Sequence, residues 1–135
     1  MKYECRIEKN KSLDFSKHRR GFTTYSQKPS LNSVLILTAE ESAENTSVRL
    51  ARELVLELKS EPATNIPLSA DEWIVKGLYK FGGPQLQFES QKVSGSLILT
   101  SVASDGTCHG SLDLTFSDPE IDIANMQHAS LKVQF

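Results

Sequence analysis

Two near-identical segments close to the end of the chain restrict its fold more than any other feature. Residues 95–100 read Gly-Ser-Leu-Ile-Leu-Thr, and residues 110–115 read Gly-Ser-Leu-Asp-Leu-Thr. The dipeptide Asp105-Gly106 lies between them, and it is typical of the tight turn that joins two antiparallel strands. The sequence therefore predicts a β-hairpin here and an all-β fold for the chain.

The hairpin has a specific register if its turn has Asp105 and Gly106 as the two central residues. Counting outward from that turn places Leu99 opposite Leu112, Leu97 opposite Leu114 and Gly95 opposite Phe116. Side chains alternate across a strand, so these residues share one face, which also carries Cys108. His109 lies on the other face. The adjacent Cys108 and His109 therefore diverge, and we interpret Cys108 as a core residue rather than as half of a nucleophilic pair.

Other short segments have the apolar patterns of strands. Residues 2–8 alternate with Tyr3, Cys5 and Ile7 on one side, and residues 33–38 form a continuous apolar run that predicts a strand covered on both faces. Further alternating strands are predicted at 73–81, 85–89 and 131–135. Residues 48–58 fit either a strand or a helix, and we favour the strand because the surrounding sequence is rich in strands.

The overall pattern is about eight or nine short strands separated by turn signals, without strand–helix alternation. This pattern predicts an antiparallel sandwich or a lipocalin-like barrel with at most one short helix. The length of 135 residues fits a single β domain spanning residues 1–135, with a sizeable core.

Composition excludes several classes of function. The net charge of −2 gives no general reason to expect nucleic acid or membrane binding, and no apolar run has the length of a membrane span. The first residues are charged and polar, unlike a secretory signal. Two cysteines, Cys5 and Cys108, are too few for a disulfide framework, so we expect both to be reduced thiols in a cytoplasmic protein.

The charge is unevenly distributed, with a basic N-terminal segment. Residues 1–30 hold eight Lys or Arg and three Asp or Glu, whereas the remaining residues hold seven and fourteen. The only basic cluster and the aromatic residues that follow it are Lys17, His18, Arg19, Arg20, Phe22 and Tyr25. These residues are candidates for binding a partner, and the competing interpretation is a solvated loop whose rings cover one end of the fold.

No motif specifies a reaction. The three histidines are widely spaced, no metal-binding spacing joins them to the cysteines, and no cofactor motif is present, so the sequence predicts no catalytic residue, no metal and no cofactor. Asp118, Glu120 and Asp122 resemble the start of a calcium loop but lack its glycine. The aromatic stripe of Trp73, Tyr79 and Phe81 is interpreted mainly as core, and alternatively as the lining of a ligand cavity.

Three functions remain as hypotheses. We favour a non-catalytic β domain that binds another macromolecule, either a protein partner or a second copy paired through the edge strand 129–135. One alternative is a lipocalin-like barrel that binds a small apolar ligand. The other is an enzyme of unknown reaction that uses His18 and His109 for acid–base chemistry.

Overall fold

The chain forms two antiparallel β-sheets that pack face to face. The computed structural model describes residues 2–14, 26–42, 49–81, 87–90, 92–117 and 128–135. Within these ranges the elements are β1 (Lys2–Asp14), β2 (Ser26–Ser42), β3 (Arg49–Leu58), β4 (Leu68–Ser69), α1 (Ala70–Trp73), β5 (Ile74–Phe81), β6 (Gln87–Ser90), β7 (Lys92–Val102), β8 (Cys108–Ser117) and β9 (His128–Gln134). The all-β prediction is confirmed.

The strands divide into sheets of five and four. The first sheet has the order β1-β2-β3-β5-β6 and the second β4-β7-β8-β9, and all neighbouring strands are antiparallel. The two sheets do not close into a barrel within the described residues. The sandwich alternative is therefore the one that the structure supports, and residues 49–58 form the predicted strand between β2 and β5.

The main core lies between the two sheets. Each sheet contributes alternate apolar side chains, as expected of a sandwich whose two inner faces interdigitate. The first sheet supplies Cys5, Ile7, Leu35, Leu37, Leu54, Leu56 and Leu58, and the second sheet with α1 supplies Leu68, Ala70, Val93, Leu97, Leu99, Cys108, Leu112, Leu114 and Phe116. Every one of these side chains is buried.

A second apolar cluster occupies the outer face of the first sheet. It consists of Leu13, Val34, Ile36, Val55 and Leu78. Strand β2 therefore buries consecutive side chains on both faces from Val34 to Leu37, as predicted from its continuous apolar run. Strand β1 extends beyond the predicted residues 2–8: its pairing with β2 shifts at Asn10, which has a φ of 59°, and the strand continues to Asp14.

The turn of the β7–β8 hairpin differs from the predicted two-residue turn. The Gly106 N–H donates to the Ala103 carbonyl at 3.0 Å, and the Ala103 N–H donates to the Thr107 carbonyl at 2.7 Å. Gly106 has a φ of 93°, whereas Asp105 is not in the left-handed region. This arrangement is favoured because only glycine adopts positive φ without a steric cost. The Asp105 carboxylate accepts the Thr107 N–H at 2.9 Å, which lowers the pKa of Asp105.

The longer turn changes the register of the hairpin. Leu99 pairs with Gly110, Leu97 with Leu112 and Gly95 with Leu114. All three predicted pairs are therefore wrong: Leu99 with Leu112, Leu97 with Leu114 and Gly95 with Phe116. A further shift lies between Leu99 and Ser101, where a bulge adds one residue to β7. The turn and the bulge together displace the pairing by an even number of residues, so the predicted inward face is retained.

The segment around Trp73 also departs from its predicted strand. Trp73 ends the helix α1, and strand β5 begins at Ile74. A bulge opposite Glu57 and Leu58 leaves Val75 on the surface, where it is 43% exposed. Val75 therefore does not continue the inward face of Gly77, because the bulge interrupts the strand alternation, whereas Trp73 packs against the main core from the end of the helix.

Glu57 is a buried carboxylate on the outer face of the first sheet. Its Oε1 accepts the Leu13 N–H at 2.7 Å, and its Oε2 accepts Asn32 Nδ2 at 2.8 Å. The Lys76 ammonium lies 3.8 Å from Oε1. Glu57 thus joins the far end of β1 and the adjoining part of β2 to its own strand, β3.

Replacing Glu57 with Ala is expected to lower the free energy of unfolding by about 2–3 kcal/mol, because it removes two charge-assisted hydrogen bonds and leaves a buried N–H unpaired. Urea unfolding of the variant measures the loss. The matched control is Glu61→Ala, whose ion pair with Lys9 at 2.7 Å is exposed on both sides. That pair should contribute less than about 1 kcal/mol, so equal losses in the two variants would contradict the interpretation.

Candidate functional site

The structure brings the two cysteines of the chain together. Cys5 lies on β1 and Cys108 begins β8, and their sulfur atoms are 2.8 Å apart. Both are free thiols, and Cys5 is 7% exposed whereas Cys108 is 1% exposed. Because β1 belongs to the first sheet and β8 to the second, the thiol pair lies where the two sheets meet.

The backbone next to the thiols holds the strands in register. The Ile7 N–H donates to the Gly106 carbonyl at 2.8 Å, and Arg6 and Thr107 form an isolated antiparallel bridge. The tip of the β7–β8 hairpin is therefore fastened to the free side of β1. This contact fixes the positions of Cys5, one residue before the bridge, and Cys108, one residue after it.

The thiols line an open depression of about 550 Å³ at the edge of β1. Its lining consists of Tyr3, Glu4, Cys5, Arg6, Ile36, Thr38, Glu53, Thr107, Cys108, His109 and Phe135. The depression connects the largely buried sulfur atoms to solvent and surrounds them with both charged and aromatic side chains. The thiol pair therefore lies at the inner end of a surface depression, with Cys5 as its more exposed member.

The two thiols differ in acidity because they share one hydrogen bond. The hydrogen bond that joins the two sulfur atoms lowers the pKa of Cys108. The same interaction, together with burial and the neighbouring negative charge, raises the pKa of Cys5. Cys108 is therefore the more acidic thiol of the pair.

The edge of β9 is the second feature with functional potential. Gly110 and Phe135 exchange two backbone hydrogen bonds of 2.9 Å. Since such pairs alternate along an antiparallel ladder, the backbone N–H and C=O groups of Ser130, Lys132 and Gln134 point away from β8. Among the described residues no strand pairs with this side of β9.

A shallow depression of about 540 Å³ lies beside this edge, on the outer face of the second sheet. It is lined by Pro67, Ser96, Leu97, Ile98, Ser111, Leu112, Asp113, Lys132, Val133 and Gln134. Lys132 stands directly opposite Asp113 on β8, so the positive charge nearest the edge has an opposite charge beside it.

The residues predicted to bind a ligand are only partly placed. Trp73 packs against the main core, and the Lys59 ammonium lies 5.0 Å from the centre of its ring. The backbones of Tyr79 and Phe81 lie in β5, whereas their side chains fall outside the described residues. Neither of the two depressions given above is lined by Trp73.

The predicted partner-binding cluster falls outside the described residues. Its members are Lys17, His18, Arg19, Arg20, Phe22 and Tyr25. Their role therefore stays a prediction. The calcium-like residues 118–122 also lie outside the described residues. Of the two histidines proposed for an enzyme, only His109 is described, and its side chain is exposed on the face opposite to Cys108.

Each cysteine lies on the inward face that the sequence predicts for it, but the contact between the two was not predicted. Cys5 was predicted on the inward face of the first strand, and Cys108 on the inward face of the hairpin. Nothing in the local pattern states that the hairpin tip contacts β1. The available signal was that both cysteines lie on inward faces, because inward faces of one sandwich share a core.

Two further observations bear on function. Among the described residues, no group of three or more His, Cys, Asp or Glu side chains is arranged to hold a metal ion. Nor does any helix in the described ranges have the length and apolar character that crossing a membrane requires.

No protein-family model, no curated protein and no solved structure matches this chain.

Proposed function

We propose that this protein is a non-catalytic β domain that acts by binding a protein chain along the edge of β9 that pairs with no described strand, and that the bound chain is a second copy of itself. The supporting observation is the uninterrupted row of outward backbone groups from Ser130 to Gln134. Unpaired edge groups of this kind accept a further strand by forming new backbone hydrogen bonds.

The other described sheet edges are less suitable for strand addition. On the outer side of strand β1, the Ile7 N–H already donates a hydrogen bond to the Gly106 carbonyl, and the strand bends at Asn10. Strand β4 has two residues and strand β6 has four. Strand β9 has seven residues and no register shift against β8. Among the described edge strands it is therefore the longest that has neither a register shift nor a backbone hydrogen bond on its outer side.

A second copy fits this edge because two β9 strands can pair antiparallel across a twofold axis. Only residues with outward backbone groups bond to each other in such a pair, which limits the register. Lys132 opposite its own counterpart would place like charges together, whereas Lys132 opposite Ser130 of the second copy would not. The second register is therefore the one we propose.

We also propose that the protein is cytoplasmic, because free thiols such as Cys5 and Cys108 are the usual state in that compartment. The net negative charge of the chain favours a protein partner over nucleic acid, and we propose no contact with a membrane.

Replacing Lys132 with Pro tests the proposal, because it removes an outward N–H without removing a bond to β8. Edge positions whose N–H faces solvent tolerate proline. Because the dimer is twofold symmetric, the substitution is present in both copies and removes two interstrand hydrogen bonds. The dimer should therefore weaken by about 1–3 kcal/mol, which is roughly a tenfold to hundredfold increase in Kd. Size-exclusion chromatography with light scattering over a range of concentrations measures this change.

The matched control is Lys132→Ala, which removes the same charge but keeps the N–H. It should retain the dimer, whereas Lys132→Pro should shift the chain toward monomer with an unchanged circular dichroism spectrum. A wild-type chain that remains strictly monomeric at high concentration would overturn the self-association proposal. Equal weakening by both variants would assign the contact to the lysine side chain instead of the strand edge.

A further inference from the structure

The closeness of Cys5 and Cys108 is not needed for packing alone. A buried free cysteine packs as a small apolar residue, and it does so without a second cysteine beside it. Here both sulfur atoms lie 2.8 Å apart at the point where β1 and the hairpin tip are fastened together. The site therefore combines proximity, a fixed backbone and an opening to solvent.

The distance between the sulfur atoms distinguishes two chemical uses of a thiol pair. Two thiolates on one tetrahedral zinc ion, each with a Zn–S bond of about 2.3 Å, stand about 3.8 Å apart. A disulfide has an S–S length of about 2.05 Å. The observed 2.8 Å is too short for both sulfurs to bind one such ion and requires only a small movement to form a covalent bond.

We propose that Cys5 and Cys108 are a reversible redox pair that forms an intramolecular disulfide between the two sheets by exchange with a small-molecule disulfide such as oxidised glutathione. The bond would join β1 of the first sheet to β8 of the second, next to the bridge between Arg6 and Thr107. This inference does not depend on pairing along β9.

The exchange proceeds in two balanced steps. The Cys108 thiolate attacks one sulfur of the small disulfide, which forms a mixed disulfide and releases one small thiolate. Cys5 then loses its proton and attacks the Cys108 sulfur, which forms the Cys5–Cys108 bond and releases the second small thiol. In total, two protein thiols and one small disulfide become one protein disulfide and two small thiols.

The order of these steps follows from the environment of each thiol. Cys108 begins the reaction because its pKa is the lowered one of the pair, and the thiolate is the nucleophile. Cys5 resolves the mixed disulfide because it already lies within bonding reach of Cys108. The depression of about 550 Å³, which both cysteines line, is the place where the small disulfide would approach the pair.

The test is a redox titration of the reduced full-length chain in defined ratios of oxidised to reduced glutathione. Each sample is quenched with acid, and the remaining thiols are alkylated in denaturant and counted by intact mass. We expect a direct change from two alkylated thiols to none. A non-reducing denaturing gel should show no disulfide link between two chains. A peptide map should recover the Cys5 peptide linked to the Cys108 peptide.

The same titration in high urea provides the comparison, because the unfolded chain separates the two thiols by 103 residues. There the intramolecular disulfide should need a roughly thousandfold more oxidising ratio, as expected from the cost of closing a loop of about 100 residues. Equal midpoints in the native and urea-unfolded chain would overturn the inference.

A second result would also overturn it. If both thiols of the folded chain remain alkylatable at the most oxidising ratio, the pair is structural only. The Cys5→Ser variant serves as the chemical control, since it can form only a glutathione adduct on Cys108. Stable glutathione adducts on the wild-type chain, in place of the internal disulfide, would equally contradict a paired role.

Discussion

Oxidation of Cys5 and Cys108 to a disulfide should raise the free energy of unfolding by about 4–5 kcal/mol. The bond would close a loop of about 100 residues in the unfolded chain, since the two cysteines are separated by 103 positions. The native chain already holds the sulfurs 2.8 Å apart, so little backbone movement opposes the bond. Urea unfolding of the oxidised and reduced chains measures the difference, expected as a midpoint shift on the order of 2 M.

The Cys5→Ser variant is the control for this comparison. Treated with the same oxidant, it should unfold at the same urea concentration as its untreated form, because it cannot form the intramolecular bond. An oxidised wild-type chain with a confirmed disulfide but an unchanged midpoint would contradict the prediction. The stability gain and the redox titration are two measurements of one thermodynamic cycle, so the two results must agree.

The inward face of the β7–β8 hairpin could be predicted from the sequence, because strand alternation is a local property. Leu97, Leu112 and Cys108 are buried as expected, and His109 is exposed. The predicted inward face is correct although the predicted turn is wrong, because the turn and the bulge together shift the pairing by an even number of residues. A displacement by an odd number of residues would have reversed every side chain.

Contacts between distant strands could not be predicted, because no local pattern encodes which strands become neighbours. The sequence placed Cys5 and Cys108 on inward faces without indicating that they meet. Buried Glu57 was likewise not recognised, since its partners Leu13 and Asn32 lie on strands far away in sequence. A lone carboxylate within an apolar strand is a weak signal of such a network, because most carboxylates are exposed.

Phe116 illustrates the same limit and leads to the second large prediction. The sequence assigned its ring to Gly95 on the neighbouring strand, whereas the ring covers Gly77 on β5 of the opposite sheet. A Cβ atom added at Gly77 would lie 2.7 Å from Phe116 Cε1. The absence of a side chain at Gly77 therefore leaves the space that the ring fills between the sheets.

Replacing Phe116 with Ala should lower the free energy of unfolding by about 3–5 kcal/mol. The side chain is fully buried in the main core, so its removal loses apolar burial and leaves a cavity between the two sheets. Urea unfolding at constant pH measures the loss. The comparison is Leu31→Ala, which changes a side chain that is 89% exposed and should shift the stability by no more than about 0.5 kcal/mol.

A double-mutant cycle links this loss to the contact with Gly77. Gly77→Ala alone should cost about 1–3 kcal/mol, because the added methyl group meets the ring of Phe116 and Leu56 Cδ2, 3.1 Å away. In a Phe116→Leu background the same substitution should cost less, because the smaller side chain leaves room for the methyl group. Equal costs in the two backgrounds would show that the ring and the glycine are not energetically coupled, and the packing of the two sheets would then have to depend on other contacts.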